Sequence, residues 1–170
     1  MKKVVLALML LAVNSMAIEV GKVPTVVTIS GDNGGKLSGE PWSSSSLKGK
    51  VHIVFYVDPD KKDLNDPFAN ALKKKHFSRS KYASVAIINL AATWIPNVAI
   101  EAKLKKKQKD FPDTLYVKDK NKVLVKKWSL ADDNSDVLIF NKKGELIYKK
   151  FGKFSKTEIE KAVKLVESNL

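Results

Sequence analysis

Asp58-Pro59-Asp60 directly follows Lys50 to Val57, an apolar run of β-branched and aromatic residues that suits a buried central strand. Carboxylates placed there have three chemical uses. Alternate aspartates can attack and then protonate a phosphoryl group with magnesium, as in phosphatases of the haloacid-dehalogenase type. Gathered with Asp132, Asp133 and Asp136, they can hold calcium or magnesium, because oxygen-only ligands suit those hard cations. Beside proline they also make turns and cap helices with no ligand at all. Lys61 stands where such phosphatases usually carry threonine or valine, and no Ser/Thr and Lys pair for the phosphate accompanies the aspartates. Turn formation is the simplest reading and a cation or ligand site the next. A magnesium-dependent phosphatase using Asp58/Asp60 and Asp132/Asp136 is the alternative. Ser135 and Trp128 join the five aspartates as candidate ligand contacts, with no catalytic residue assigned.

The other reactive residue types are sparse. The chain has no cysteine, which excludes thiol redox, thiol peroxidase and cysteine hydrolase chemistry along with thiolate metal sites. His52 and His76 fall on different expected elements, with no carboxylate at zincin spacing. Ser43 to Ser46 lacks a Gly-x-Ser-x-Gly elbow. Trp42, Trp94 and Trp128 read as packing residues.

The elements that must position these groups follow from pattern. Val23 to Ile29 predicts a short strand, ended by a turn at Gly31 to Gly35, and Pro41 to Ser46 a polar loop. Asp66-Pro67 starts a helix, with aspartate capping, proline in the first turn, and Phe68, Leu72 and His76 along one face. Ser84 to Leu90 is a second apolar strand. Pro96 opens a helix with Ile100 and Leu104 on one side and lysines on the others. Thr114–Val117 and Val123–Trp128 alternate and predict a hairpin, as do Val137–Phe140 and Leu146–Phe151 across Asn141 to Gly144. Ser155 and Glu158 form a capping box before the apolar face of a last helix, Ile159, Ala162, Val163 and Val166. Strands separated by helices imply a parallel core, and the closing hairpin an antiparallel edge. The expectation is an α/β fold: a mixed sheet with helices on both faces, an N-terminal extension and an inserted hairpin.

The first residues have a different purpose. Lys2 and Lys3 precede the apolar stretch Val4–Val13, and Ser15-Met16-Ala17 places small residues at −3 and −1. That layout predicts a secretory signal over 1–17, leaving one domain over 18–170 in the periplasm. No later stretch is long enough to span a bilayer. The formal charge is +13, or +11 once Lys2 and Lys3 leave. Arg79 is the only arginine among 31 basic residues, whereas specific base and phosphate recognition favours the arginine fork, so no nucleic-acid partner is expected. A lysine surface suits solvent, an anionic envelope component or an envelope protein partner.

Several blocks together resemble the YtfJ family, small periplasmic proteins of thioredoxin-like fold with no established biochemical function. They are Trp42 before a small polar loop, Leu47-Lys48-Gly49-Lys50-Val51, Ile95-Pro96 and Trp128-Ser129-Leu130. An acidic loop ending at Ser135 and then Val137 to Gly144 complete the set. The resemblance implies two working loops. The one after the first central strand normally carries redox cysteines, and here reads Asp58 to Asp63. The other normally supplies a cis-proline, and here Ser135 holds that place, so its preceding peptide bond is expected to be trans. The scaffold of an oxidoreductase without its thiols favours a non-catalytic binding or accessory module, with no cofactor or else calcium or magnesium.

Overall fold

Residues 17–170 are described by a computed structural model, so the expected signal segment lies outside them except for Ala17. The strands are β1 (Thr28–Ile29), β2 (Gly34–Lys36), β3 (Trp42–Ser43) and β4 (Val51–Val57), then α1 (Asp66–Lys73), β5 (Tyr82–Asn89) and α2 (Asn97–Asp110). There follow β6 (Thr114–Asp119), α3 (Val123–Trp128), β7 (Ser135–Phe140), β8 (Leu146–Phe151) and α4 (Lys156–Asn169). Six strands form one mixed sheet in the order β2-β6-β5-β4-β7-β8. The pairs β4–β5 and β5–β6 are parallel, while β4–β7, β7–β8 and β2–β6 are antiparallel. No described peptide bond is cis, that before Ser135 included.

Strand alternation divides the core in two. Val54, Tyr56, Val85, Ile87, Val117, Leu138 and Phe140 face α3 and the N-terminal segment. On the opposite face Val51, Ile53, Val137 and Ile139 pack under α1 and α4, where Phe68 stacks on Phe154 with ring centroids 4.8 Å apart. Farther along that face, Val57, Ala86, Ile88 and Tyr116 pack under Ile100 and Leu104 of α2. The capping box forms as expected, Ser155 N–H donating to Glu158 at 2.7 Å and Glu158 N–H to Ser155 Oγ at 3.2 Å.

The structure corrects four local expectations. Residues 123–128 are a helix, so there is no inserted hairpin. Its cause is Asp119 at the end of β6, which is wholly buried and accepts from the N–H groups of Val123 (2.9 Å), Leu124 (3.1 Å) and Asn121 (3.3 Å). A carboxylate on the first amides of a helix satisfies donors that a strand would present elsewhere. Leu124 and Trp128, one helical turn apart, are then buried together. The predicted 23–29 strand shrinks to Thr28–Ile29. The chain before it serves as a strap, with Thr25 C=O accepting Trp128 Nε1–H at 3.0 Å. Gly34 and Gly35 do not turn the chain but form edge strand β2. A Cβ at Gly34 would lie 1.9 Å from Lys118 O, so the close approach of β2 to β6 requires glycine there. Finally, α1 ends at Lys73 and His76 is exposed with φ 49°, off the helix face. Asp66 lies within the helix, and Asn65 precedes it without a side-chain cap.

Tyr56 O–H, reaching from β4 past the intervening β5, also donates to Asp119 at 3.1 Å. Asp119→Ala would strand the α3 amides and the phenol in the core, and is expected to lose about 2–4 kcal/mol of stability. Tyr56→Phe, which removes one donor of four, should cost about 1 kcal/mol. Urea melts of the two variants check the ordering; equal losses would contradict it.

Candidate binding cleft

α1 and α2 cover the same sheet face but are recruited by different clusters. Phe68 and Leu72 draw α1 towards α4, while Ile100 and Leu104 draw α2 over β5 and β6. Between them a cavity of about 520 Å³ opens, a volume typical of small-molecule sites. Phe55, Val57, Ala86 and Ile88 make its floor, and Ala69 and Leu104 face each other as walls. Alanine at 69 and 86 leaves the space that larger side chains would fill. Tyr116 also lines the floor, and burial, with the charges of Asp110 and Asp66 adding, pushes its phenol up to about 12, so the floor is uncharged.

One end of the cleft is closed by the loop after β4 and the start of β7, the two places singled out from sequence. Asp58 N–H donates to Asn134 C=O at 2.9 Å, which joins the two loops. The Asp58 carboxylate is buried and accepts from Asp60 N–H at 2.8 Å, capping the turn Pro59–Lys61. Burial raises its pKa, with the Asp60 amide opposing and the Asp60 and Asp133 charges adding. Asp60 and Ser135 line the cleft.

The five aspartates are not all brought together. Asp58, Asp60 and Asp133 share the loop junction. Asp132 turns to the other side, where Lys122 Nζ donates to it at 2.6 Å and Asn89 Nδ2 at 2.9 Å. Burial works to raise the Asp132 carboxyl, and those two hydrogen bonds outweigh it and hold it low. Asp136 points into the α3 face of the sheet. Among the described residues no group of three or more His, Asp or Glu side chains is placed to hold a metal ion. Trp128 is a core residue with its ring centroid 6.1 Å from that of Phe140, and Trp42 is buried too. Trp94, expected to pack, is instead fully exposed just before α2. His52 is buried with Nδ1 3.0 Å from Lys50 O, and burial lowers its pKa.

Asn65 is the site residue that sequence reading misses. Its buried Nδ2 donates to Ser135 O (2.9 Å), Ser135 Oγ (3.2 Å) and Gly152 O (3.2 Å), while its Oδ1 accepts Phe154 N–H (3.2 Å). A lone asparagine before Asp-Pro carries no spacing signal. The cationic rim was visible only in pieces: Lys103 and Lys107 belong to the lysine-rich helix and Lys62 to the loop after β4, and all three line the cleft.

A family profile described as "Bacterial protein of unknown function (YtfJ_HI0045)" matches residues 18–169. The chain belongs to that family. Its relatives include an uncharacterized protein of Haemophilus influenzae, 27% identical over 130 residues, covering 75% of this chain and 71% of that one. Another is the uncharacterized protein YtfJ of Escherichia coli, 25% identical over 139 residues, covering 79% and 75%. Among solved structures, a Bacteroides thetaiotaomicron protein proposed to be a protein disulfide isomerase superposes with TM-score 0.64 at 18% identity, covering 90% of this chain and 91% of that one. A thiol-disulfide isomerase from Corynebacterium glutamicum gives 0.58 at 18% identity, covering 80% and 90%. The fold of this YtfJ-family chain is therefore thioredoxin-like, on a sequence without cysteine.

Asp136 carries a pH dependence. One of its oxygens accepts Ala131 N–H at 2.8 Å and the other, also buried, has no partner among the described residues. Burial, partly offset by that amide, pushes its carboxyl up to about 7. The native state therefore holds a proton that the unfolded chain releases near pH 4, and stability falls as pH rises from about 4 to about 7. Asp136→Asn keeps an acceptor for Ala131 without the charge. Its stability relative to wild type is expected to rise by about 1–3 kcal/mol between pH 5 and pH 8 in urea melts. A difference that does not change with pH would contradict the assignment.

Proposed function

We propose that this protein is a non-catalytic binding module of the cell envelope and that the cleft between α1 and α2 is its ligand site. The observation that carries the reading is the cavity itself: an apolar space of ligand size, closed at one end by the two loops in which thioredoxin-like enzymes do their work. No thiol is available there, and Asp58, the residue best placed by sequence for chemistry, caps its own turn. A fold shared with thiol enzymes supplies no reaction without their residues. Export is supported by the three-part layout of residues 1–17 and by a family match that starts at residue 18. Ile18 is buried in the core, and no described helix is long and apolar enough to cross a membrane.

The test is uptake of a neutral apolar dye, Nile red, by the protein lacking residues 1–17. Wild type is expected to bind one equivalent with enhanced emission. Ala69→Trp, which places a large side chain in the cleft, should weaken binding at least tenfold while melting as a folded protein. Dye binding that Ala69→Trp leaves unchanged would overturn the cleft as the ligand site.

A further inference from the structure

The cleft is apolar inside and cationic at its mouth. Lys62, Lys103 and Lys107 line it against the two carboxylates Asp60 and Asp66. Lys103 makes no ion pair among the described residues. Lys62 is paired with Asp63 at 2.5 Å, and Lys107 stands 3.7 Å from Asp66. That second pair joins α2 to α1. The next link between them is also made by a lysine: Lys73 of α1 donates to Asp110 C=O at 3.3 Å and lies 4.5 Å from the centre of the Phe111 ring. Phe111 lines the cleft, so its ring is apolar towards the cavity and carries a cation on its face. The two helices are thus bridged by lysine side chains over an apolar floor, an arrangement that admits an apolar body and leaves cations to meet its polar end.

The lip beside α2 has the same double character. Trp94 and Val98 are exposed large apolar residues that flank Ile95, which lines the cleft. α2 itself carries Lys103, Lys105, Lys106, Lys107 and Lys109 against Glu101 and Asp110. Exposed tryptophan beside clustered lysine is the pairing found where proteins meet the boundary between acyl chains and anionic headgroups.

We propose that the cleft's occupant is a single acyl chain ending in an anionic headgroup, the chain lying between α1 and α2 and the headgroup meeting Lys103 and Lys107. This rests on the reading of the cleft as the ligand site. Chain burial supplies affinity, since each methylene removed from water adds to it, and the lysines select the sign of the head.

The experiment displaces Nile red from the protein lacking residues 1–17 with three amphiphiles of equal chain length, each below its micelle concentration: dodecyl phosphate, dodecyl maltoside and dodecyltrimethylammonium. Dodecyl phosphate is expected to displace the dye at concentrations at least tenfold lower than the cationic amphiphile. In Lys103→Gln/Lys107→Gln the advantage should shrink by roughly three- to tenfold, the neutral amphiphile being unaffected. Trp94→Phe, which keeps an apolar lip, should retain the preference. Equal displacement by all three amphiphiles overturns the anionic occupant while leaving the cleft as a neutral apolar site. Failure of Nile red to enter the wild-type cleft overturns both. A preference for dodecyl phosphate that survives the double lysine variant, folded by its melt, overturns the role given to Lys103 and Lys107.

Discussion

A buried carboxamide must satisfy both ends of its dipole, and Asn65 does so by bonding to segments far apart in sequence. Its donors hold the start of β7 at Ser135 and the end of β8 at Gly152, and its acceptor holds Phe154 ahead of α4. Asn65 also stands immediately before α1. The direction in which α1 leaves the β4 loop is therefore tied to the strands on the far side of β4. With Phe68 stacked on Phe154, α1 is committed to α4 and cannot close over α2. The cleft is the space this commitment leaves.

The two faces of the sheet have been given different tasks. On one, Asp119 gathers the amides of α3 and the Tyr56 phenol, and the N-terminal strap seals the remaining apolar surface. The buried polar groups Asn89, Asp119 and Asp136 serve the fold there, and one oxygen each of Asn89 and Asp136, without a partner among the described residues, marks where packing was favoured over satisfaction. The other face is split between two apolar clusters that share Phe55 and are not fused. This thioredoxin-like scaffold without cysteine has, on this second face, a concavity closed at one end by the loop after β4 and the start of β7. That concavity has an apolar interior and a lysine rim.

What could be read in the sequence was what local physics decides. The apolar run at Val51–Val57, the proline before Asn97 and the Ser155–Glu158 box each specify their element from neighbouring residues. The α3 helix escaped because Val123 to Trp128 alternates like a strand. Its helical state is imposed by Asp119, and the signal available was Asp119 five residues ahead of an i, i+4 pair, Leu124 and Trp128. The junction of the two aspartate-bearing loops was legible from fold topology, and Asp58 does meet Asn134. The separation of Asp136 was not, because adjacent residues on a strand point to opposite faces and Ser135 takes the cleft side, nor was that of Asp132, which Lys122 and Asn89 hold by hydrogen bonds. The cleft was illegible for a further reason. It is made by two helices whose apolar residues are drawn to different clusters, and no residue pattern encodes a gap.

The account stands on the claim that ligand enters between α1 and α2. Methyl-resolved NMR of the protein lacking residues 1–17, titrated with dodecyl phosphate, addresses it most directly. The account predicts shifts at Ile88, Ile95, Ile100 and Leu104, with Leu124, Leu130 and Leu138 on the opposite face unmoved. Shifts centred on the second group, or none in either, would contradict it.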